Sequence, residues 1–216
     1  MRMRKKAWAR PELNKCLYFI KDPTSNKGKW KEYFANNNPI NLELGCGKGS
    51  FISQIANKNR DVNFIAVDIK DDMLGYARRK IEVEYGDNIV KNVALLAYDI
   101  ERIGDIFSKE DIVDRIYINF CNPWPRPKHR KRRLTHTRQL EKYKLFLKDG
   151  GQIHFKTDDN GLYMDTLTYF KETGFEIIQN IEDLALSQDA DNIVTEHEQM
   201  FMDLGVKIKK IVASKM

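Results

Sequence analysis

No stretch of the chain approaches the roughly 18 consecutive apolar residues that a membrane-spanning helix needs, and the mean hydropathy is −0.58. The basic start, MRMRKKAWAR, is followed by no apolar stretch, so it does not read as a secretory signal. Cysteine is scarce and scattered. Cys16, Cys46 and Cys121 are odd in number and far apart, which excludes a disulfide framework or a zinc-ligand pair and predicts a reduced, cytosolic setting. His129 and His136 have no cysteines or further acids at ligand spacing, so no metal is expected. There is no internal repeat, low-complexity tract or clear interdomain linker. The 216 residues, 42% hydrophobic and 31% charged, suffice for one globular domain that needs no disulfide or metal to stay folded.

Acidic residues are missing from two short segments, and that is where the net charge of +6 resides. Residues 1–10 carry Arg2, Arg4, Lys5, Lys6 and Arg10; residues 126–133 carry Arg126, Lys128, Arg130, Lys131, Arg132 and Arg133. Elsewhere 26 Lys and Arg face all 31 Asp and Glu, a balance of −5. A single basic run is as readily a solvated face as a binding patch. Two such runs on an otherwise acidic body point to a polyanion partner.

After the breaker cluster Asn36–Pro39, apolar runs alternate with helical periodicity. Strands are predicted at 41–44, 63–67, 93–98, 115–120 and 152–155, and two late ones at 176–181 and 206–213, separated by about two dozen polar residues. Ser50 is placed to cap a helix through about Lys58, with Phe51, Ile52, Ile55 and Ala56 on one face. Another helix carries Met73, Leu74, Ala77 and Ile81. A third spans Thr137–Lys148 and stops at Asp149-Gly150-Gly151, and a fourth spans Gly161–Glu172. The alternation predicts an α/β fold with a doubly wound, mostly parallel, seven-stranded sheet and an antiparallel C-terminal strand. Residues 1–38 read as a basic N-terminal extension of undetermined conformation, and 39–216 as the single domain.

Ligands in such sheets bind at the carboxyl ends of the strands. Five consecutive strand ends here carry Gly45–Gly49, Asp68, Asp99, Asn122 and Asp158, which should therefore rim one crevice. The loop Glu43-x-Gly45-x-Gly47-x-Gly49 closes one residue earlier than a dinucleotide fingerprint. Its carboxylate, two residues before the first glycine, suits a cationic ligand better than a pyrophosphate. S-adenosylmethionine, with an ammonium, a sulfonium and no phosphate, fits that chemistry. Asp68 is placed to accept the ribose hydroxyls and Asp99 the adenine amino group, although strand-end acids also cap the helices that follow them.

With ELGCGKG (43–49), NFCNPWPRPKHRKRRLTH (119–136), HFKTD (154–158) and TEHE (195–198) in hand, the chain resembles the class I S-adenosylmethionine-dependent methyltransferases. More closely, it resembles the bacterial tRNA (guanine-N7)-methyltransferases. The second segment is long and unusual, and the resemblance runs from about residue 40 to the C-terminus. It implies methyl transfer to N7 of a variable-loop guanine in tRNA. Cofactor contacts then fall on Glu43, Gly45, Gly47, Asp68, Asp99 and Asn122. Contacts to tRNA or guanine fall on Arg126, Lys128, His129, Arg130, Lys131, Arg132, Arg133 and Asp158, and on Thr195, Glu196, His197 and Glu198. Asn122, Arg126 and His197 stand where many members carry Asp, Lys and Tyr. The first of these positions is the one to which catalysis is usually ascribed, and here it resembles the Asn-Pro-Pro-aromatic loop of amino-group methyltransferases.

Guanine N7 has an in-plane lone pair and no proton, so alignment and exclusion of water matter more than a general base. Asn122 is the candidate for alignment. Trp124 is either a stacking surface or a residue that holds the loop, and Asp158 and Glu198 are candidate acceptors for guanine N1–H and N2–H. Two other readings are a non-catalytic RNA-binding module and an NAD(P)-dependent oxidoreductase. The latter is disfavoured by the glycine spacing and by the lack of a recognisable reducing apparatus. No membrane partner is expected, and monomer and homodimer both remain open.

Overall fold

A computed structural model of the chain describes residues 6–187 and 189–216; Arg2, Arg4 and Lys5 of the basic start lie outside them. Eight strands form one sheet in the order β1-β4-β3-β2-β5-β6-β8-β7. They are β1 (Phe19–Ile20), β2 (Ile40–Leu44), β3 (Asn63–Asp68), β4 (Val93–Ala97), β5 (Val113–Asn119), β6 (Leu147–Thr157), β7 (Phe175–Ile181) and β8 (Lys209–Lys215). The first six in spatial order pair in parallel, and β8 runs antiparallel between β6 and β7. The eighth strand is the short β1, within the segment expected to be an extension; Phe19 pairs with Leu95 at the sheet edge.

Both faces of the sheet are covered, which is why its central strands read as continuous apolar runs. Leu42, Leu44, Ile65, Val67, Leu96, Ile116 and Ile118 point into one core. They meet α2 (Trp30–Phe34), α5 (Thr137–Lys144) and α6 (Asn160–Glu172). Phe64, Ala66, Leu95 and Tyr117 point into the other, against α1 (Ala9–Lys15), α3 (Ser50–Lys58) and α4 (Asp71–Tyr85). Leu13, Tyr18 and Phe19 thus belong to one core and Trp30 and Phe34 to the other, and among the described residues no break in packing marks the expected boundary at residue 38.

Three local expectations need correction. Gly49, at φ 78°, caps α3 in place of Ser50, which opens the helix. A Cβ on Gly49 would stand 2.6 Å from the Cα of Ala77, so only glycine lets α3 and α4 approach this closely. Helix α5 ends at Lys144, short of the expected Lys148, because Leu147 already pairs with Val113; Asp149-Gly150-Gly151 therefore lies within β6. Finally, the polar stretch between the last two strands contains a helix, α7 (Glu196–Asp203).

Candidate active site

From β2 the chain winds outward through β3 to β4, which lies beside the edge strand β1, then crosses back to β5 on the other side of β2. The crevice of such a sheet opens where the winding reverses, beyond the carboxyl ends of β2 and β5. Strand register aligns the expected Glu43 and Asp68 along that edge, together with Asn119 and Lys156. Glu43 pairs with Ala66 and Tyr117, Asp68 pairs with Ala97, and Asn119 pairs with Lys156.

The loop after β2 holds Gly45, Gly47 and Gly49 at φ values of 80°, 53° and 78°. A Cβ on Gly47 would meet nothing within 4 Å, so conformation demands glycine there and the space beside it is open. Glu43 lies beneath this loop, only 3% exposed. Its Oε1 accepts a long hydrogen bond of 3.4 Å from Asn119, and its buried Oε2 has no partner among the described residues. Burial pushes the Glu43 carboxyl up to about 8, against the opposing pull of the Asn119 hydrogen bond and the Lys156 charge. A buried acid with an unmatched oxygen is costly in isolation and awaits a donor or a cation. Asp68 accepts from the Gly47 amide at 3.0 Å and the Lys70 amide at 2.9 Å, which leaves each oxygen a second lone pair. Burial also raises its pKa, with the two amides acting in the opposite direction. Asp99 accepts from the amide of Glu101 through Oδ1 and so caps the 3-10 helix Ile100–Asp105.

Beyond β5 the backbone is strained. Phe120 and Trp124 adopt φ values of 52° and 42°, which non-glycine residues rarely do. Between them, Asn122 is exposed and its Oδ1 accepts from the Trp124 amide at 3.0 Å. The Trp124 ring is half-buried, flanked by His129 at 5.7 Å and by the Arg132 guanidinium at 5.2 Å. The basic run then forms the 3-10 helix Pro127–Arg132, and Arg126, Lys128, Arg130, Lys131 and Arg132 face solvent. Arg133 departs from the expectation of a phosphate contact: it is 2% exposed, and its guanidinium faces the Pro123 carbonyl and Asp165.

The TEHE segment is largely self-occupied. Thr195 caps α7 by accepting from the Glu198 amide, and Glu196 pairs with Lys80 on α4. Glu198, 1% exposed, has one oxygen 2.6 Å from Lys156 Nζ and the other accepting from Asn192 at 2.6 Å. Each of its oxygens already accepts one hydrogen bond inside the fold and the side chain is buried, so it presents no exposed, unengaged acceptor. Asp158 does: it is half-buried at the end of β6, and only its backbone carbonyl is engaged among the described residues, by Lys209. His197 is exposed, its ring 5.1 Å from Phe120 and 4.8 Å from Phe201.

Asn119, Lys156 and Asn192 were not singled out from the sequence. Lys156 donates to Glu198, to Asn192 Oδ1 and to the Ile193 carbonyl, the latter two at 3.0 Å, and burial lowers its pKa. A lysine within the apolar end of a strand was the available signal, because such a charge needs a buried partner. Among the described residues no cluster of His, Cys, Asp and Glu is suited to a metal.

A family described as "Putative methyltransferase" matches residues 37–211. Among solved structures, the 16S rRNA methyltransferase KamB superposes with a TM-score of 0.63 at 10% identity, covering 87% of this chain and 92% of that one. An antibiotic-related methyltransferase gives 0.61 at 14% identity, covering 90% and 94%. By fold and family, then, the chain is a methyltransferase of the Rossmann-like class. The tRNA (guanine-N(7)-)-methyltransferase of Clostridium beijerinckii is 56% identical over 217 residues, covering all of this chain and 99% of that protein. Its counterpart in Clostridium perfringens strain 13 is 53% identical over 219 residues and fully covered. The chain belongs to the bacterial tRNA (guanine-N7)-methyltransferase family.

Proposed function

We propose that the protein transfers a methyl group from S-adenosylmethionine to N7 of a guanine in tRNA. The observation that carries this reading is continuity: the Asn122 loop, which rims the glycine crevice, runs directly into an exposed basic helix with no intervening acid. RNA phosphates held by Arg126, Lys128, Lys131 and Arg132 lie next to whatever base enters the crevice. The residues present fit the cofactor, since the unmatched Glu43 oxygen suits its cationic amino end and the open space at Gly47 admits close backbone approach. Free lone pairs on Asp68 suit ribose hydroxyls.

S-adenosylmethionine, when bound, supplies an electrophilic methyl group. The chain itself orients the acceptor. N7 carries no proton, so Asn122 needs only to align the base through its carboxamide, with reacting atoms about 3 Å apart. The free Asp158 carboxylate accepts from the guanine N1–H and N2–H edge, which selects against adenine, whose N1 is an acceptor. His197 and Phe120 offer a stacking surface for an extruded base.

The test is methylation of total tRNA with labelled cofactor, followed by nucleoside analysis and single-turnover kinetics of Asn122 variants. The wild type is expected to yield 7-methylguanosine. Asn122→Asp should change the rate modestly, and Asn122→Ala should lower it further, because the acceptor is removed and a pocket left. An inactive wild type that gains roughly 10²–10⁴-fold through Asn122→Asp would instead make position 122 a general base.

A further inference from the structure

Arg133 closes the basic run, yet it alone of that run's arginines and lysines is buried. Its Nε donates to the Pro123 carbonyl at 2.7 Å, and its terminal nitrogen pairs with Asp165 on α6. Two residues on, the Thr135 hydroxyl meets that of Thr166, the neighbour of Asp165, at 2.7 Å. Two consecutive contacts thus tie the segment after the basic helix to the middle of α6. Pro123 sits in the loop whose ends, Phe120 and Trp124, hold left-handed backbone conformations. Such conformations persist only where the surroundings over-determine them. The ends of the loop are held by the Phe120 amide donating to the Lys156 carbonyl and by the Trp124 amide donating to Asn122 Oδ1, whereas Pro123 and Pro125 donate no backbone hydrogen bond and Asn122 is exposed. The charge-assisted bond from Arg133 reaches the loop at its centre, one residue from Asn122.

We propose that Arg133, held by Asp165, is a positioning residue that latches the Asn122 loop onto α6 and makes no contact with RNA. This rests on the function proposed above. The basic run then divides by burial, its exposed members holding phosphates and its last member shaping the reactive loop. Arg130, 3.4 Å from the same Asp165, links the two groups.

Arg133→Lys separates the roles, because an ammonium keeps the pairing with Asp165 but lacks the guanidinium fork that also reaches Pro123. Single-turnover rate, tRNA KM, the salt dependence of RNA binding, and hydrogen exchange at residues 120–124 are measured for this variant and wild type. The expected result is a rate lower by roughly 10–100-fold, as for a sub-ångström to ångström misplacement. KM and salt slope stay unchanged, and the Trp124 amide exchanges faster while the sheet does not. A salt slope flattened by about 0.7–0.9, the signature of one fewer phosphate neutralised, overturns the proposal. So does an unchanged rate. Should Arg133→Lys not fold, Asp165→Asn is read in the same way. A wild type without methylation would defeat the proposed function, and loop exchange alone would then decide the latch.

Discussion

Glu43 is a carboxylic acid held largely protonated at neutral pH in the free protein, because burial pushes its pKa up to about 8. A cationic ligand group beside it favours the carboxylate, so binding must expel a proton whenever the pH lies below that value. Affinity for S-adenosylmethionine should therefore rise with pH up to about 8, by close to tenfold per unit at most, and fall again above it as the ligand's own α-ammonium loses its proton. Calorimetric titration from pH 6.5 to 9 in buffers of different ionisation enthalpy measures both the affinity and the proton released. Glu43→Gln should bind weakly and lose the component of the pH dependence that belongs to this group. A wild-type affinity flat across the range would mean that Glu43 does not face the cation.

At the scale of an element, the 3-10 helix Pro127–Arg132 is notable for burying none of its residues. With no apolar face to hold, it is free to present its charge, and Trp124 packs against it through His129 in its middle and Arg132 at its end. Replacing Lys128, Lys131 and Arg132 by Ala should weaken tRNA binding and reduce the log–log salt slope by about 0.7–0.9 for each phosphate that is no longer neutralised. Cofactor affinity should stay near that of the wild type. Filter binding of tRNA between 50 and 300 mM salt checks this, and an unaltered slope would make the run a solvated face.

For the whole molecule, the informative segment is the first forty residues. Trp30 is fully buried, stacks on Phe107 at 5.6 Å and donates through Nε1 to the Ile106 carbonyl at 2.8 Å. Asp111, itself buried, accepts from the amides of Gly28 and Trp30 and so fastens this segment to the loop before β5. On the other face, Leu13, Tyr18 and Phe19 complete the core over α4. Trp30→Ala should cost about 3–5 kcal/mol, read as a lowered urea midpoint. A chain cut to residues 39–216 should lack a cooperative transition. Full-length stability in that fragment would make the N-terminal segment a mere appendage.

The sequence by itself determined the parallel sheet, because strands buried on both faces read as near-continuous apolar runs, as in Phe64–Val67 and Val93–Ala97. It also determined the line of strand-end residues, because strand and helix alternation forces the carboxyl ends to one edge. The tertiary structure alone decided what each charge does there. Arg133 and Glu198 look like their exposed neighbours in the sequence, and only the approach of Asp165 from α6 and of Lys156 from β6 turns them into buried, satisfied groups. The same holds for residues 9–38, whose short elements carry little periodicity of their own. They are ordered by the apolar surface that distant strands and helices present, and no local pattern records a contact across seventy or more residues of chain, as between Trp30 and Ile106.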